Sequence, residues 1–294
     1  MTATLEVIRT RTVAARVRVG RTGYLLGAVC IAISTVMLLP LLYSVLASIK
    51  PTAEAAEAPP TYLPHGVSLD SYQRLWGYQE GLLTYLGNSF GTAVLTIGFT
   101  LVLTVPAGYA LARFPVPAKE VIFVVLLLAL IVPYQALLTP MFLMFAQVGL
   151  TNSLVGLAVL HTAIQLPFSL YILRNSFAAV PRELEEAAIM DGAASWQILL
   201  RIFIPPTVPA IVTVTLFAFI TSWNEFLGAL VMMSSSAKFT LPVILATART
   251  ETSLGGTDWG MLQAGVTISV IPCVLVYLLL QRYYVAGLMS GAVK

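Results

Sequence analysis

Six long apolar stretches, separated by polar connections, run along this chain. They cover residues 24–49, 86–112, 121–147, 154–177, 211–233 and 261–284. Each is long enough for a helix crossing the hydrocarbon core of a bilayer, which needs roughly 20 residues. Most carry proline: Pro40 in the first, Pro106 near the end of the second, Pro133 and Pro140 in the third, Pro167 in the fourth and Pro272 in the sixth. In a soluble helix proline removes a hydrogen bond and clashes with the preceding turn. Between membrane helices the freed carbonyls find other partners. The prolines are therefore read as kinks rather than ends, with re-entrant segments as the alternative, chiefly in the third stretch. The fold class that follows is all-α, a polytopic transmembrane bundle of six helices. It spans residues 23–294 behind an N-terminal tail over 1–22.

Composition agrees with the pattern. Hydrophobic residues make up 58% of the 294 and charged residues 10%, where a soluble domain carries about 25% charged. That deficit excludes a soluble protein and makes membrane lipid a partner. The first apolar run exceeds the roughly 7–15 residues of a signal-peptide core, so it is expected to stay as a first transmembrane helix. Cys30 and Cys273 both lie in apolar runs and read as small packing residues, not as a disulfide or metal framework.

Charge then sets an orientation. Arg9, Arg11, Arg16, Arg18, Arg21, Arg113, Lys119, Arg174, Arg182, Arg201, Arg282 and Lys294 fall on one side of such a bundle; Lys50, Arg74, Lys238 and Arg249 fall on the other. Positive loops stay inside, which puts both termini in the cytoplasm of a bacterial plasma (inner) membrane protein and requires an even number of crossings. Two long loops, 51–85 and 234–260, are then extracellular. Ser68 or Asp70 is placed to cap a short helix in the first.

Chemistry is sparse. There is no Gly-x-x-x-x-Gly-Lys-Ser/Thr phosphate loop, and no believable catalytic constellation of Ser, His, Asp, Cys and Glu. The chain is expected to be non-catalytic, without a metal or cofactor of its own, and without a nucleic-acid partner. Glu225 is the only acidic residue inside an expected span. With the fifth helix starting near Ile204, it sits about 32 Å along that helix at 1.5 Å per residue, near the outer end. A carboxylate in hydrocarbon must face a bundle interior or a water-filled cavity. Glu225, with Trp223 and Asn224, therefore reads either as a pathway or gate element or as a structural hydrogen bond to another helix. Gln135, beside the kink at Pro133, and His161 and Gln165 are weaker candidates of the same kind.

The loop over 178–203 is the most informative segment. Pro181 suits a helix start, Glu183, Glu185 and Glu186 favour the positive end of the helix dipole, and Gly192 suits a helix stop. A short helix of about ten residues is predicted, with Leu184, Ala187, Ala188, Met190 and Asp191 on one narrow face. By physics alone it is either a docking element or an inert amphipathic linker.

The spacing Glu186-Ala187-Ala188-x-x-Asp191-Gly192-Ala193, followed by Ile202-x-Ile204-Pro205, is similar to the EAA signature of ABC-importer permeases. Leu199 and Ile204 depart conservatively from it, standing where Phe and Leu are usual. The tail over 281–294, Asn88-Ser89, Gly108-Tyr109-Ala110-Leu111-Ala112-Arg113 and Trp223-Asn224-Glu225-Phe226 resemble MalG-type permeases of carbohydrate importers. The resemblance implies a type I ABC importer permease fold. It implies that the helix around Glu186–Ala193 docks on an ABC ATPase dimer that binds ATP and Mg. It also implies a second permease subunit of the MalF type and an extracellular sugar-binding protein. By position, Gly255, Gly256, Thr257 and Asp258 would form a flexible tip that enters that binding protein. Two rivals remain: a permease for another solute such as glycerol phosphate, and a secondary transporter. Neither basic residues inside the spans nor repeated halves support them.

Overall fold

The computed structural model describes residues 21–55, 57, 61–248 and 257–292, and among these it is entirely helix, turn and coil. The chain divides into a short unit, Met1–Tyr43, and a large one, Ser44–Lys294. The described part of the short unit is most of α1 (Arg21–Ser48), an apolar helix with Pro40 inside it.

The large unit opens with two short helices, α2 (Thr52–Ala55) and α3 (Asp70–Trp76). Neither Ser68 nor Asp70 caps the second: its N-cap is Leu69, without a side-chain cap bond, and the Ser68 hydroxyl oxygen only accepts from the Asp70 N–H at 3.0 Å just ahead of it. Then come α4 (Leu82–Arg113), α5 (Lys119–Leu128), α6 (Tyr134–Gln147) and α7 (Leu154–Ala178). Next are α8 (Arg182–Met190), α9 (Ser195–Ile198) and a π-helical turn (Leu199–Phe203) that runs into α10 (Ile204–Asn224). The chain closes with α11 (Leu227–Met232), α12 (Leu241–Ala248) and α13 (Trp259–Ala292).

Among the described residues five helical segments are long and apolar enough to cross a membrane. The third apolar stretch is the exception. It does not kink at Pro133; it breaks over 129–133 into α5 and α6. Pro133 cannot donate to the Ala129 carbonyl, and the residue before a proline is pushed out of helical geometry. The fifth stretch differs too. Its helix begins at Ile204, where it was expected to start, but stops at Asn224, leaving Glu225 extended, φ −69° and ψ 128°, before α11 starts. Pro40, Pro106, Pro140, Pro167 and Pro272 do lie inside continuous helices.

α4, α7 and α10 form the centre. Lipid is as apolar as leucine, so membrane helices associate through close packing and hydrogen bonds rather than through burial of apolar surface. α4 supplies both. Thr92, Thr96, Thr100 and Thr104 recur every fourth residue and are all buried. One turn further, a Cβ on Gly108 would sit 3.1 Å from the Leu173 Cβ of α7, so glycine there sets how closely the two helices approach.

Candidate functional site

The EAA-like segment builds α8 as its residues require. Pro181 is the N-cap and Arg182 the first helical residue. Gly192, at φ +77°, adopts the left-handed conformation that glycine takes without penalty. The Gly192 N–H donates to the Ile189 carbonyl and the Ala193 N–H to the Ala188 carbonyl, each at 3.0 Å. These paired bonds make a Schellman ending. Ala188 is the one buried residue of α8; it packs with Tyr109, Phe177 and Phe203 inside the chain's own core. That corrects the expected face. Leu184, Glu186, Ala187, Met190, Asp191 and Gly192 point outward, with Met190 87% exposed, while Ala188 and the half-buried Glu185 look inward.

At the opposite end of α10, Glu225 is 8% exposed. Tyr134, the first residue of α6, donates its hydroxyl to Glu225 Oε1 at 3.0 Å. The Gly228 and Ala229 N–H groups donate at 2.7 and 2.9 Å, so the carboxylate caps the first turn of α11. His161 Nε2 lies 3.2 Å from Oε2, and its Nδ1 lies 2.9 Å from the Ser222 hydroxyl. With Nε2 donating to the carboxylate, Nδ1 is free to accept from Ser222. One carboxylate thus joins the two helix breaks, 129–133 and 225–226. Gly228 is tightly placed in this arrangement: a Cβ there would meet Leu160 Cδ2 at 2.8 Å and Glu225 Oε2 at 2.9 Å.

The Trp-Asn-Glu group is therefore not one surface. Trp223 is buried, stacks on Phe219 at 5.6 Å and donates to the Ser269 carbonyl of α13 at 3.0 Å. Asn224 is exposed and lines a cavity of about 230 Å³ with Pro242, Leu245 and Ser269. Gln135 is exposed on a different cavity of about 390 Å³, between the α5–α6 break and Pro167 of α7. Gln165 accepts from Thr221 at 3.2 Å while its amide nitrogen is buried without a partner. Asn88 ties α4 to the turn before α12, donating to the Ala237 and Phe239 carbonyls at 2.9 Å.

Of the expected loop tip, Gly255 and Gly256 lie outside the described residues. Asp258 is an anchor, not a free tip. Arg74 of α3 grips it with two nitrogens, at 2.8 and 3.2 Å, and its carboxylate accepts from the Met261 N–H at 3.0 Å in the first turn of α13. Thr257 adjoins it, its carbonyl accepting from the Trp259 N–H at 3.0 Å. Nearby, burial pushes the Glu54 carboxyl up, but hydrogen bonds from the Thr61 hydroxyl and from the His65 backbone and ring outweigh it and hold the group below its ordinary range.

Three features escaped the sequence reading. The threonine ladder of α4 was visible as a four-residue recurrence of Thr in an apolar helix. Tyr134 and Ser222, which complete the Glu225 cluster, carried no local signal, because their partners are 91 and 61 residues away. Arg113, the last residue of α4, was seen only as a charge and as part of a motif. It is 4% exposed in its side chain and lies 3.7 Å from Glu185 of α8.

Residues 104–289 match the family described as binding-protein-dependent transport system inner membrane component. The chain is 33% identical over 255 residues to the probable ABC transporter permease protein YurM of Bacillus subtilis, covering 87% of this chain and 83% of that one. It is 35% identical over 259 residues to the trehalose transport system permease protein SugB of Mycobacterium tuberculosis, covering 87% and 92%. In fold it is similar to a chain of a bacterial ABC transporter involved in the import of the acidic polysaccharide alginate, with a TM-score of 0.77 at 24% identity over 90% of this chain and 98% of that one.

Proposed function

We propose, for a chain that belongs to the family of binding-protein-dependent transport system inner membrane components, that its solute is a sugar or oligosaccharide. The support is the substrate named for its relative SugB and for the alginate transporter of like fold. The chain is a membrane permease subunit, and the chemistry that drives it belongs to a partner ATPase binding ATP and Mg. A second permease of the MalF type completes the pathway, and an extracellular binding protein delivers the solute. Both termini face the cytoplasm, by the distribution of Lys and Arg.

The observation that carries the reading is α8. It is a nine-residue helix with a defined stop, in a loop that carries Arg182 and Arg201, and it presents nearly every side chain outward. Glu186, Ala187, Asp191, Gly192 and Ala193 form the contact to the ATPase, with Ala188 behind them as packing. Closure of the ATPase dimer moves α8, and the membrane helices switch the pathway between its two faces. Gln135 and Asn224 are the polar side chains that meet the solute route; Glu225 and Trp223 hold the helices behind it.

The test is uptake by the assembled complex in proteoliposomes. Uptake of labelled sugar is expected to require ATP and to be abolished by Ala187→Arg, with the complex still assembled. ATP-independent uptake, or unchanged uptake in Ala187→Arg, overturns the reading.

A further inference from the structure

α8 has little apolar hold on the rest of the protein. A helix of nine residues is not stable alone in water, and α8 buries only Ala188. Polar contacts must therefore fix its position, and they converge on one side chain. Arg113 ends α4. Its Nη2 donates to the carbonyls of Phe177, at 2.6 Å, and of Val180; Phe177 lies in the last turn of α7, where its carbonyl also accepts from the Val180 N–H at 3.3 Å, and Val180 lies two residues beyond that helix. Its Nη1 faces Glu185 of α8 at 3.7 Å. Its guanidinium carbon lies 4.7 Å over the ring of Phe203, the last residue of the π-helical turn that leads into α10. One turn earlier in α4, Tyr109 donates to the other oxygen of Glu185 at 3.4 Å and packs against Phe203 at 4.9 Å and Phe177 at 6.1 Å.

One buried cation therefore touches α4, α7, α8 and the root of α10 together. A planar, permanently charged fork with five donors suits that set, and a lysine ammonium does not reproduce its geometry. We infer that Arg113 is the positioning residue that joins α8 to the membrane helices, so that displacement of α8 passes through Glu185 and Arg113 into α4, α7 and α10. This rests on the reading of α8 as the ATPase contact. Arg113 itself touches neither ATPase nor solute; it acts through Glu185, Phe177 and Val180.

The test measures ATP hydrolysed per sugar imported by the reconstituted full complex. Arg113→Ala, Glu185→Gln and the double variant are each expected to assemble, to keep hydrolysing ATP, and to raise that ratio by about tenfold. The double variant should be no worse than either single one, since all three break the same link. If Arg113→Ala fails to assemble, Glu185→Gln decides alone, because it removes one charge and keeps the shape. A merely structural role lowers hydrolysis and uptake in parallel and leaves the ratio at its wild-type value. That result, or multiplicative effects in the double variant, overturns the inference. A wild-type complex whose uptake ignores ATP overturns the underlying reading instead.

Discussion

Both ends of the α4–α7–α10 bundle are closed by a polar pair, Glu225 with His161 and Arg113 with Glu185, yet the two pairs are made differently. Glu225 is surrounded by donors from the chain's interior: Tyr134, His161, and the N–H groups of Gly228 and Ala229. Everything it touches is already part of the packed bundle, and its contacts close two helix breaks. Arg113 reaches outward instead. Its partner Glu185 belongs to a helix whose remaining residues are mostly exposed, and its neutral acceptors are the carbonyls of Phe177 in the last turn of α7 and of Val180 just beyond it. The first pair fixes helices to one another. The second fixes the bundle to an element that another protein can move. The difference teaches that a buried charge inside a membrane protein need not lie on the solute route to matter.

The largest expected effect bears on the first pair. Glu225→Ala strips the acceptor from four donors at once. Leaving a buried donor without its acceptor costs about 1–3 kcal/mol, so the purified permease should unfold at a clearly lower temperature in detergent. An unchanged melting temperature would show that Glu225 does not hold the two breaks together. Glu225→Gln keeps one acceptor oxygen and should fall between. If it transports sugar at the wild-type rate, Glu225 is not a pathway residue.

A smaller effect is expected at the other end. Gly192 sits at φ +77°, and placing a side chain there costs roughly 1–2 kcal/mol. Gly192→Ala should loosen the end of α8 and speed amide hydrogen exchange at Gly192 and Ala193 positions, with exchange at Gly228 and Ala229 unaltered. Equal acceleration at both ends would mean that the two pairs are one cooperative unit.

The smallest effect concerns a carboxylate that water can reach from a neighbouring exposed side chain. His65, partner of Glu54, is 79% exposed in its side chain. Glu54 titrates below its ordinary value when folded. Its stabilising contribution is thus complete above the unfolded value, about 4.3, and is lost as pH falls through the lower folded value. Wild-type stability should decline over that acid window more steeply than that of Glu54→Gln. Equal slopes would show that the Thr61 and His65 bonds do not favour the ionised form.

Much of this was open to reading along the chain. The apolar stretches over 86–112, 154–177 and 261–284 became α4, α7 and α13, because a bilayer crossing is specified by local composition and length alone. The start, stop and dipole residues of α8 also stood where the helix begins and ends, since capping is decided within a few residues. Where the reading fell short, the deciding contact was distant. The stop at Asn224 depends on Glu225 capping α11 while it binds Tyr134 and His161, which are far away in sequence. Asp258 looked like part of a loose tip because Arg74 lies 184 residues from it. Ala188 looked outward because helical spacing gives a face but not the direction in which that face points.

The sequence by itself determined a membrane protein of apolar helices, the position and ends of α8, and the gathering of positive charge toward one side. Hydrophobic length, capping and charge are local properties, and they survive whatever the rest of the chain does. Only the tertiary structure decided which helix breaks are tied together, which face of α8 is left exposed, and that Arg113 sits where four segments meet. Those outcomes follow from buried polar groups seeking partners wherever the fold brings them, and no window along the chain contains both halves of such a pair.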